Sequence, residues 1–178
     1  MMRGAAILFA ALIAAPAAAP AATFDPVGVS VEDILACRMD ARHYNGLISW
    51  LTGPDNGAAK RKWTRVEGRD PTVVEYRLPT PANILGHTTD RIALAGTAVL
   101  AILPDVAPAS IAGEAGIQNT TPTADRFLGE RVIDRQVERD ADLGMDMTYK
   151  RVLIVTVLTR YPGMTFAGCS YRTEEGQR

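Results

Sequence analysis

Residues 150–161 have the sequence KRVLIVTVLTRY, and this stretch decides the fold class. It is the richest part of the chain in Val, Leu and Ile, and the β-branched residues among them favour extended structure. The Pro-Gly-Met sequence after Tyr161 predicts a turn, and residues 165–172 predict the final strand. Residues 173–178 are expected to be a frayed tail. The last quarter of the chain is therefore predicted to be mainly sheet.

Two further segments towards the N-terminus predict long strands. Residues 90–103 predict a single strand with a bend or bulge at Gly96 that ends at Pro104. Five of its apolar residues share one parity: Ile92, Leu94, Ala98, Leu100 and Ile102. Residues 126–142 are more ambiguous, since their Arg, Glu and Gln content favours helix. Their apolar residues do not form one helical stripe, however, so we predict a strand there.

Shorter elements precede and separate these strands. Residues 63–67 and 73–78 predict two short strands, because β-branched and aromatic residues alternate between turn sequences. A short helix is predicted over residues 107–117. A polar loop is predicted over residues 118–124.

The N-terminal part has a helical pattern instead. Ser30 followed by two acidic residues is typical of a helix start, and apolar residues then recur at helical spacing up to Met39. A second helix is predicted around Tyr44 to Leu51 and is ended by the Gly- and Pro-containing residues 52–57. Because helices come first and strands follow without regular alternation, we predict an α+β fold, with an N-terminal helical region packed on a mainly antiparallel sheet.

Residues 1–22 predict a cleaved signal peptide. Arg3 supplies a positive charge, residues 5–15 are apolar but shorter than a membrane span, and small residues precede a cut after Ala21 or Ala22. The alternative is an uncleaved N-terminal anchor, which Pro16 and the short apolar run disfavour. The sequence thus predicts one exported domain, periplasmic or secreted, over residues 23–178, with no transmembrane span after processing.

The chain has only two cysteines, Cys37 and Cys169. In an oxidising compartment they are expected to form one disulfide that closes nearly the whole mature chain. Residues 34–37 superficially resemble the motif that precedes a lipidated cysteine. Acidic residues separate them from the apolar leader, and lipidation would leave Cys169 unpaired, so the disulfide is preferred.

Composition and motifs exclude several function classes. The 178 residues carry a net charge of −1, with 47% hydrophobic and 22% charged residues, which is typical of a globular protein and not of a nucleic-acid binder. No residues match a nucleophile elbow, a phosphate-binding loop or a dinucleotide motif, so no cofactor is predicted. The two histidines each have one nearby carboxylate, Asp40 beside His43 and Asp90 beside His87. These pairs are too sparse to predict a metal site.

One concentrated basic run remains as a candidate binding surface. Lys60, Arg61, Lys62 and Trp63 place three cations beside an aromatic ring at the start of a predicted strand. Such a group is suited to an acidic protein or another anionic component of the cell envelope. The competing interpretation is a solvated loop whose Trp63 is anchored in the core.

The sequence therefore predicts a small, exported, disulfide-stapled protein that acts by binding, as an inhibitor, an immunity-type protein or an envelope accessory protein. A structural component of an envelope assembly is a related possibility. The main alternative is a small hydrolase that uses carboxylates dispersed in the sequence. Five acidic residues are candidates for that role: Glu67, Glu75, Glu130, Asp134 and Glu138.

Overall fold

A seven-stranded antiparallel sheet forms the centre of the fold. The computed structural model describes residues 24–121, 126–140 and 144–175, so the predicted signal peptide lies outside the described residues. The strands are β1 (Thr64–Val66), β2 (Val73–Ile84), β3 (His87–Ala95), β4 (Ala98–Pro104), β5 (Leu128–Asp140), β6 (Met145–Val157) and β7 (Met164–Glu175). The helices are α1 (Val31–Leu35), α2 (Tyr44–Thr52), α3 (Gly57–Lys60) and α4 (Pro108–Glu114), with a 3₁₀ turn at Ala41–His43.

The sheet is built from two groups of consecutive strands. Its order is β1-β2-β3-β4-β7-β6-β5, and every neighbouring pair is antiparallel. The chain leaves β4 in the middle of the sheet, passes through α4 and re-enters at β5. The short strand β1 and the long strand β5 therefore form the two edges, and the prediction of a mainly antiparallel sheet is confirmed.

The prediction of one strand over residues 90–103 is wrong. Ala95 pairs with Ala98, so Gly96 and Thr97 form a two-residue turn between β3 and β4. Gly96 has a φ of +57°, which glycine adopts without steric cost. Parity is misleading because β4 and the last four residues of β3 are almost all buried on both faces. The apolar residues therefore continue across the turn without a change of pattern.

The helices pack on one face of this sheet, here called the helical face, and the other is called the open face. On the helical face Ile34, Leu47 and Leu51 lie in one core cluster with Leu153 and Val155. A second apolar cluster on the open face includes Leu100, Val152 and Phe166. The helical part is small, so the protein is mainly β within the predicted α+β class.

The first helix ends earlier than predicted. The Ser30 hydroxyl accepts a hydrogen bond from the Asp33 N–H and caps α1 as expected. The helix then stops at Leu35, because Cys37 is left-handed (φ +59°) and the Arg38 N–H bonds back to the Asp33 carbonyl in a Schellman-type ending.

The predicted disulfide is confirmed. Cys37 is bonded to Cys169, with 5.1 Å between their Cα atoms. The bond joins the end of α1 to the middle of β7, and both residues are buried.

Residues 126–142 contain a strand, as predicted, but its pattern is broken by a bulge. Val132 is opposite Val152 on β6, whereas Asp134 is opposite Arg151, so Ile133 is an extra residue. This insertion explains why the apolar residues of β5 fit neither a helical nor a strand period.

The prediction of a frayed tail over residues 173–178 is wrong for residues 173–175, and residues 176–178 lie outside the described residues. Residues 173–175 continue β7, and Glu175 pairs with Met147 on β6. Sheet pairing therefore orders residues whose own composition does not favour a strand. Among the described residues, no helix is long and apolar enough to cross a membrane.

Candidate basic loop and sheet edges

The predicted basic run lies in residues 57–65, here called the basic loop, between α2 and the edge strand β1. The loop contains α3. A non-glycine residue in the left-handed region lies on either side of this helix, Asn56 (φ +51°) before it and Lys62 (φ +58°) after it. Such conformations persist only where the surrounding structure holds them. The backbone of the loop is therefore fixed by its packing.

Two of the four predicted binding residues anchor this loop. The Arg61 guanidinium donates to the carbonyls of Pro26 (3.0 Å) and Val29 (2.6 Å), and it lies 4.9 Å from the centre of the Trp63 ring. Burial lowers the pKa of Arg61. Trp63 is only 7% exposed and packs against Tyr76, with 5.8 Å between ring centres. Arg61 and Trp63 thus act mainly as structural supports.

The other cations of the loop face solvent. Lys60, Lys62 and Arg65 are exposed, and none of them has an ion-pair partner among the described residues. Three unpaired cations on a fixed backbone form a local positive surface. Since Trp63 is turned inward, this surface contains charge without the aromatic contact area expected from the sequence.

Glu75, one of the carboxylates proposed for a hydrolase, is buried in a polar network on the open face. It is 1% exposed, accepts a 2.6 Å hydrogen bond from the Tyr161 hydroxyl, and forms an ion pair with Arg91. Burial, followed by the hydrogen bond to Glu75, raises the pKa of Tyr161. Both carboxylate oxygens are therefore occupied by donors, which is the arrangement expected of a structural ion pair.

Three other candidate carboxylates are also held by arginines. Glu130 binds Arg172, Asp134 binds Arg151, and Glu138 binds Arg42. Glu67 is exposed. Arginines of the chain thus occupy four of the five candidate carboxylates, so the described residues offer no pair of free carboxylates among the five.

The histidines and their nearby carboxylates have separate partners. Asp40 binds Arg42, which lowers the pKa of that carboxyl, and the His43 ring stacks on Phe24 with 4.3 Å between centres. His87 lies 3.8 Å from Glu114. No group of three or more potential metal ligands occurs in the part of the chain that the structure describes.

An apolar cleft of about 600 Å³ was not predicted from the sequence. It lies where the connection after β4 meets the connection between β6 and β7, and its lining includes Val106, Leu158 and Met164, with Asp105 among them. Its walls come from segments about fifty residues apart, which no local sequence pattern relates.

The edge strand β5 concentrates the exposed apolar side chains of the described residues. Five large hydrophobic residues are classed as exposed, and one of them, Val27, lies outside this strand. The other four are Leu128 (38%), Val132 (60%), Ile133 (40%) and Val137 (58%). Charged residues separate them in the sequence, so no long apolar run marks this surface.

Comparisons of the chain with protein-family models, with curated proteins and with solved structures find no match.

Proposed function

We propose that the protein is an exported binding protein whose basic loop recognises an acidic surface of another exported protein. Inhibitors, immunity-type proteins and envelope accessory proteins act in this way. The observation that carries the proposal is the division of roles within the loop. Arg61 and Trp63 hold the backbone, while Lys60, Lys62 and Arg65 are exposed and have no carboxylate partner in the part of the chain that the structure describes.

Preorganisation supports this role. A loop that is already ordered loses less conformational entropy on binding than a flexible one. Exposed charges of one sign also accelerate association with a surface of opposite charge. The loop therefore has the properties of a recognition element. Isolated lysines on a flexible surface segment would lack them.

A protein partner is favoured over an anionic membrane. A cation near an anionic lipid surface contributes only about 1 kcal/mol, and the loop has no exposed aromatic side chain to insert, since Trp63 is buried. A rigid group of three cations is better suited to a surface with fixed carboxylates.

The hydrolase alternative has less support. Four of its five proposed carboxylates accept hydrogen bonds or ion pairs from arginines within the chain, as described above. A catalytic pair needs two carboxylates facing a common space.

The test begins with site-specific cross-linking in cells that export the protein. A photoreactive side chain at position 62 should give one main adduct with another exported protein. The same group at position 126 is the matched control, because Arg126 is also an exposed cation but lies outside the loop. Equal adducts at both positions, or none at position 62, would contradict the proposal.

The partner identified in this way should then bind the purified protein in a salt-dependent manner. The double substitution Lys60→Glu and Lys62→Glu should weaken binding and flatten its salt dependence, while Arg126→Glu should leave both nearly unchanged. Unaltered affinity after the double substitution would remove the basic loop from the model. Binding to phosphatidylglycerol vesicles, lost in the double variant and accompanied by no protein adduct, would replace the protein partner with a lipid surface.

A further inference from the structure

Along most of its length, the outer side of β5 pairs with no other strand of the described residues. One side of the strand pairs with β6. On the other side the Thr120 N–H donates to the Leu128 carbonyl (2.8 Å), and Asn119 forms an isolated bridge with Gly129. From Glu130 to Arg139 no strand among the described residues pairs with this edge. Long edges of this kind are strongly disposed to pair with another strand.

The exposed apolar residues lie on this same edge strand, as described above. Two of them, Val132 and Val137, are more than half exposed and project from the open face, since Val132 is opposite Val152 and Val137 is opposite Thr148. A strand that paired with this edge would satisfy its unpaired backbone groups and would also bury its exposed valines.

We propose that the occupant is a second copy of this chain, whose β5 pairs antiparallel with the first about a two-fold axis at Arg135. This arrangement joins two seven-stranded sheets into one continuous sheet. It goes beyond the proposed function and does not depend on it, because the basic loop adjoins β1 at the opposite edge.

The faces of β5 restrict which residues can be opposite each other. Residues opposite in an antiparallel pair must project from the same face. Arg131 is opposite Leu153 of the helical-face core, and Glu138 binds Arg42 of the helical region, so both lie on the helical face. In a regular strand, residues 131 and 138 would project from different faces. The extra residue at Ile133 brings them to the same face, so they can be opposite each other in the dimer.

The axis at Arg135 gives complementary pairs on both faces. Because Ile133 is the extra residue of the bulge, it has no residue opposite it in this register. The axis therefore places Val132 opposite Val137 of the second copy, and Arg131 opposite the second copy's Glu138. It also places Glu130 opposite Arg139. Each of these pairs occurs twice by symmetry, and Arg131 gains the carboxylate that it lacks among the described residues of its own chain.

One pair in this arrangement is unfavourable. Arg135 lies opposite its own copy at the axis, and like charges directly opposite destabilise a sheet. This pair is exposed, and it provides a specific test of the register.

Neighbouring registers are less favourable. An axis at Asp134 places that carboxylate opposite itself, and an axis at Gln136 places Asp134 opposite Glu138 twice. An axis at Val132 matches the charges, but it directs the second strand into the space occupied by Asn119 and Thr120. With the axis at Arg135, the pairing between the two copies extends over the free edge from Glu130 to Arg139 and stops where Asn119 and Thr120 contact β5.

The first experiment measures the mass of the purified mature protein by light scattering and analytical ultracentrifugation over a concentration range. We expect a monomer–dimer equilibrium. Arg131→Glu should weaken dimerisation about tenfold, which corresponds to 1.4 kcal/mol, and Glu138→Arg should also weaken it. The double variant with both substitutions should recover much of the affinity. Arg77→Glu on β2, an exposed arginine outside the basic loop and far from β5 in the sheet order, is the matched control and should leave the dimer unchanged.

The second experiment tests the register. Arg135→Gln should tighten the dimer, because it removes the like-charged pair at the axis. Arg135→Cys should form an intermolecular disulfide, since Cα atoms of opposite residues in antiparallel strands are about 4.5–5.5 Å apart. Arg131→Cys should not, because the two copies of residue 131 lie about 20 Å apart in this register at about 3.4 Å per residue.

Circular dichroism confirms that each variant is folded before its mass is interpreted. A monomer at all concentrations would overturn the proposal, as would a dimer insensitive to Arg131→Glu and Arg135→Gln. Preferential disulfide capture of a different protein at position 135 would also overturn it and would assign the edge to that protein. Loss of partner binding in the Lys60→Glu and Lys62→Glu variant with an intact dimer would separate this inference from the proposed function.

Discussion

Arg61 and Lys60 are neighbours in the basic loop with opposite surroundings. Arg61 donates to two backbone carbonyls and covers the Trp63 ring, whereas Lys60 is exposed. Two adjacent cations of similar size therefore have different roles, one in stability and one in the charge of the surface.

This difference predicts a matched pair of stability measurements. Arg61→Ala should lower the free energy of unfolding by about 1–3 kcal/mol, because it leaves two carbonyls without their charged donor. Lys60→Ala should change it by less than about 0.5 kcal/mol, as is usual for exposed residues. Urea unfolding of both variants checks the prediction, and equal effects would mean that Arg61 does not anchor the loop.

Two buried tyrosines on the helical face predict a loss of stability at high pH. Burial raises the pKa of Tyr44 to about 12 and raises that of Tyr171 as well. Their hydroxyls donate to the carbonyls of Gly96 (2.8 Å) and Ile34 (2.6 Å). Because the folded state holds these protons more tightly than the unfolded chain, whose tyrosines titrate near pH 10, the stabilisation is complete below pH 10 and is lost as the pH rises towards 12.

Chemical unfolding at several pH values tests this linkage. Wild-type stability should fall between pH 10 and pH 12. Tyr44→Phe and Tyr171→Phe should each be less stable at neutral pH, by about 1 kcal/mol for the lost hydrogen bond, but should show a shallower alkaline decline. Tyr149, which is only partly buried, provides the control. Parallel alkaline slopes for wild type and the two variants would contradict the assignment.

At the level of secondary-structure elements, the turn between β3 and β4 determines the pairing of the central strands. Only Gly96 and Thr97 connect the apolar residues 92–95 of β3 with the apolar residues 98–103 of β4. The left-handed φ of Gly96 allows the chain to reverse there.

A glycine comparison tests the importance of this turn. Gly96→Ala should destabilise the protein by about 1 kcal/mol or more, because alanine is strained at positive φ although the side chain itself has space. Gly113→Ala in α4 is the matched control, since that glycine also has open space but no positive φ, and it should stabilise by about 0.5–1 kcal/mol. Thermal unfolding of both variants distinguishes backbone strain from a general effect of losing glycine.

At the level of the whole molecule, the disulfide connects the first helix to the last strand. Cys37 and Cys169 are 132 residues apart in the sequence. Without this bond, α1 is held to the sheet mainly by its apolar contacts and by the hydrogen bond from Tyr171 to Ile34.

Removing the bond should therefore have a large effect. Cys37→Ser with Cys169→Ser should lower the free energy of unfolding by up to about 5 kcal/mol, the value expected for closing so long a loop. Thiol titration of the freshly isolated wild-type protein in denaturant should find no free thiol before reduction and two afterwards. Free thiols in freshly isolated protein, or a stability unchanged by the double substitution, would show that the bond does not form in the cell or does not stabilise the fold.

The sequence by itself determined the features that depend on neighbouring residues. The serine cap of α1 and the strand within residues 126–142 follow from local preferences. So does the strand predicted over residues 150–161, which the structure places at Met145–Val157. The disulfide followed from the presence of only two cysteines and the predicted export. The basic loop was located by its composition, although the burial of Trp63 was left open.

Only the tertiary structure decided which residues meet across the sheet. The network of Glu75 and Tyr161 joins residues 86 positions apart, and the apolar edge of β5 depends on a bulge that moves Val132 and Val137 to one face. The turn at Gly96 has no marker in the sequence because the residues on both sides of it, 92–95 and 98–103, are apolar and almost all buried. This burial removes the alternation that marks a strand boundary. Local conformational preference is encoded within a few residues, whereas strand order, burial of both faces and ion pairing arise from long-range packing that no short segment contains.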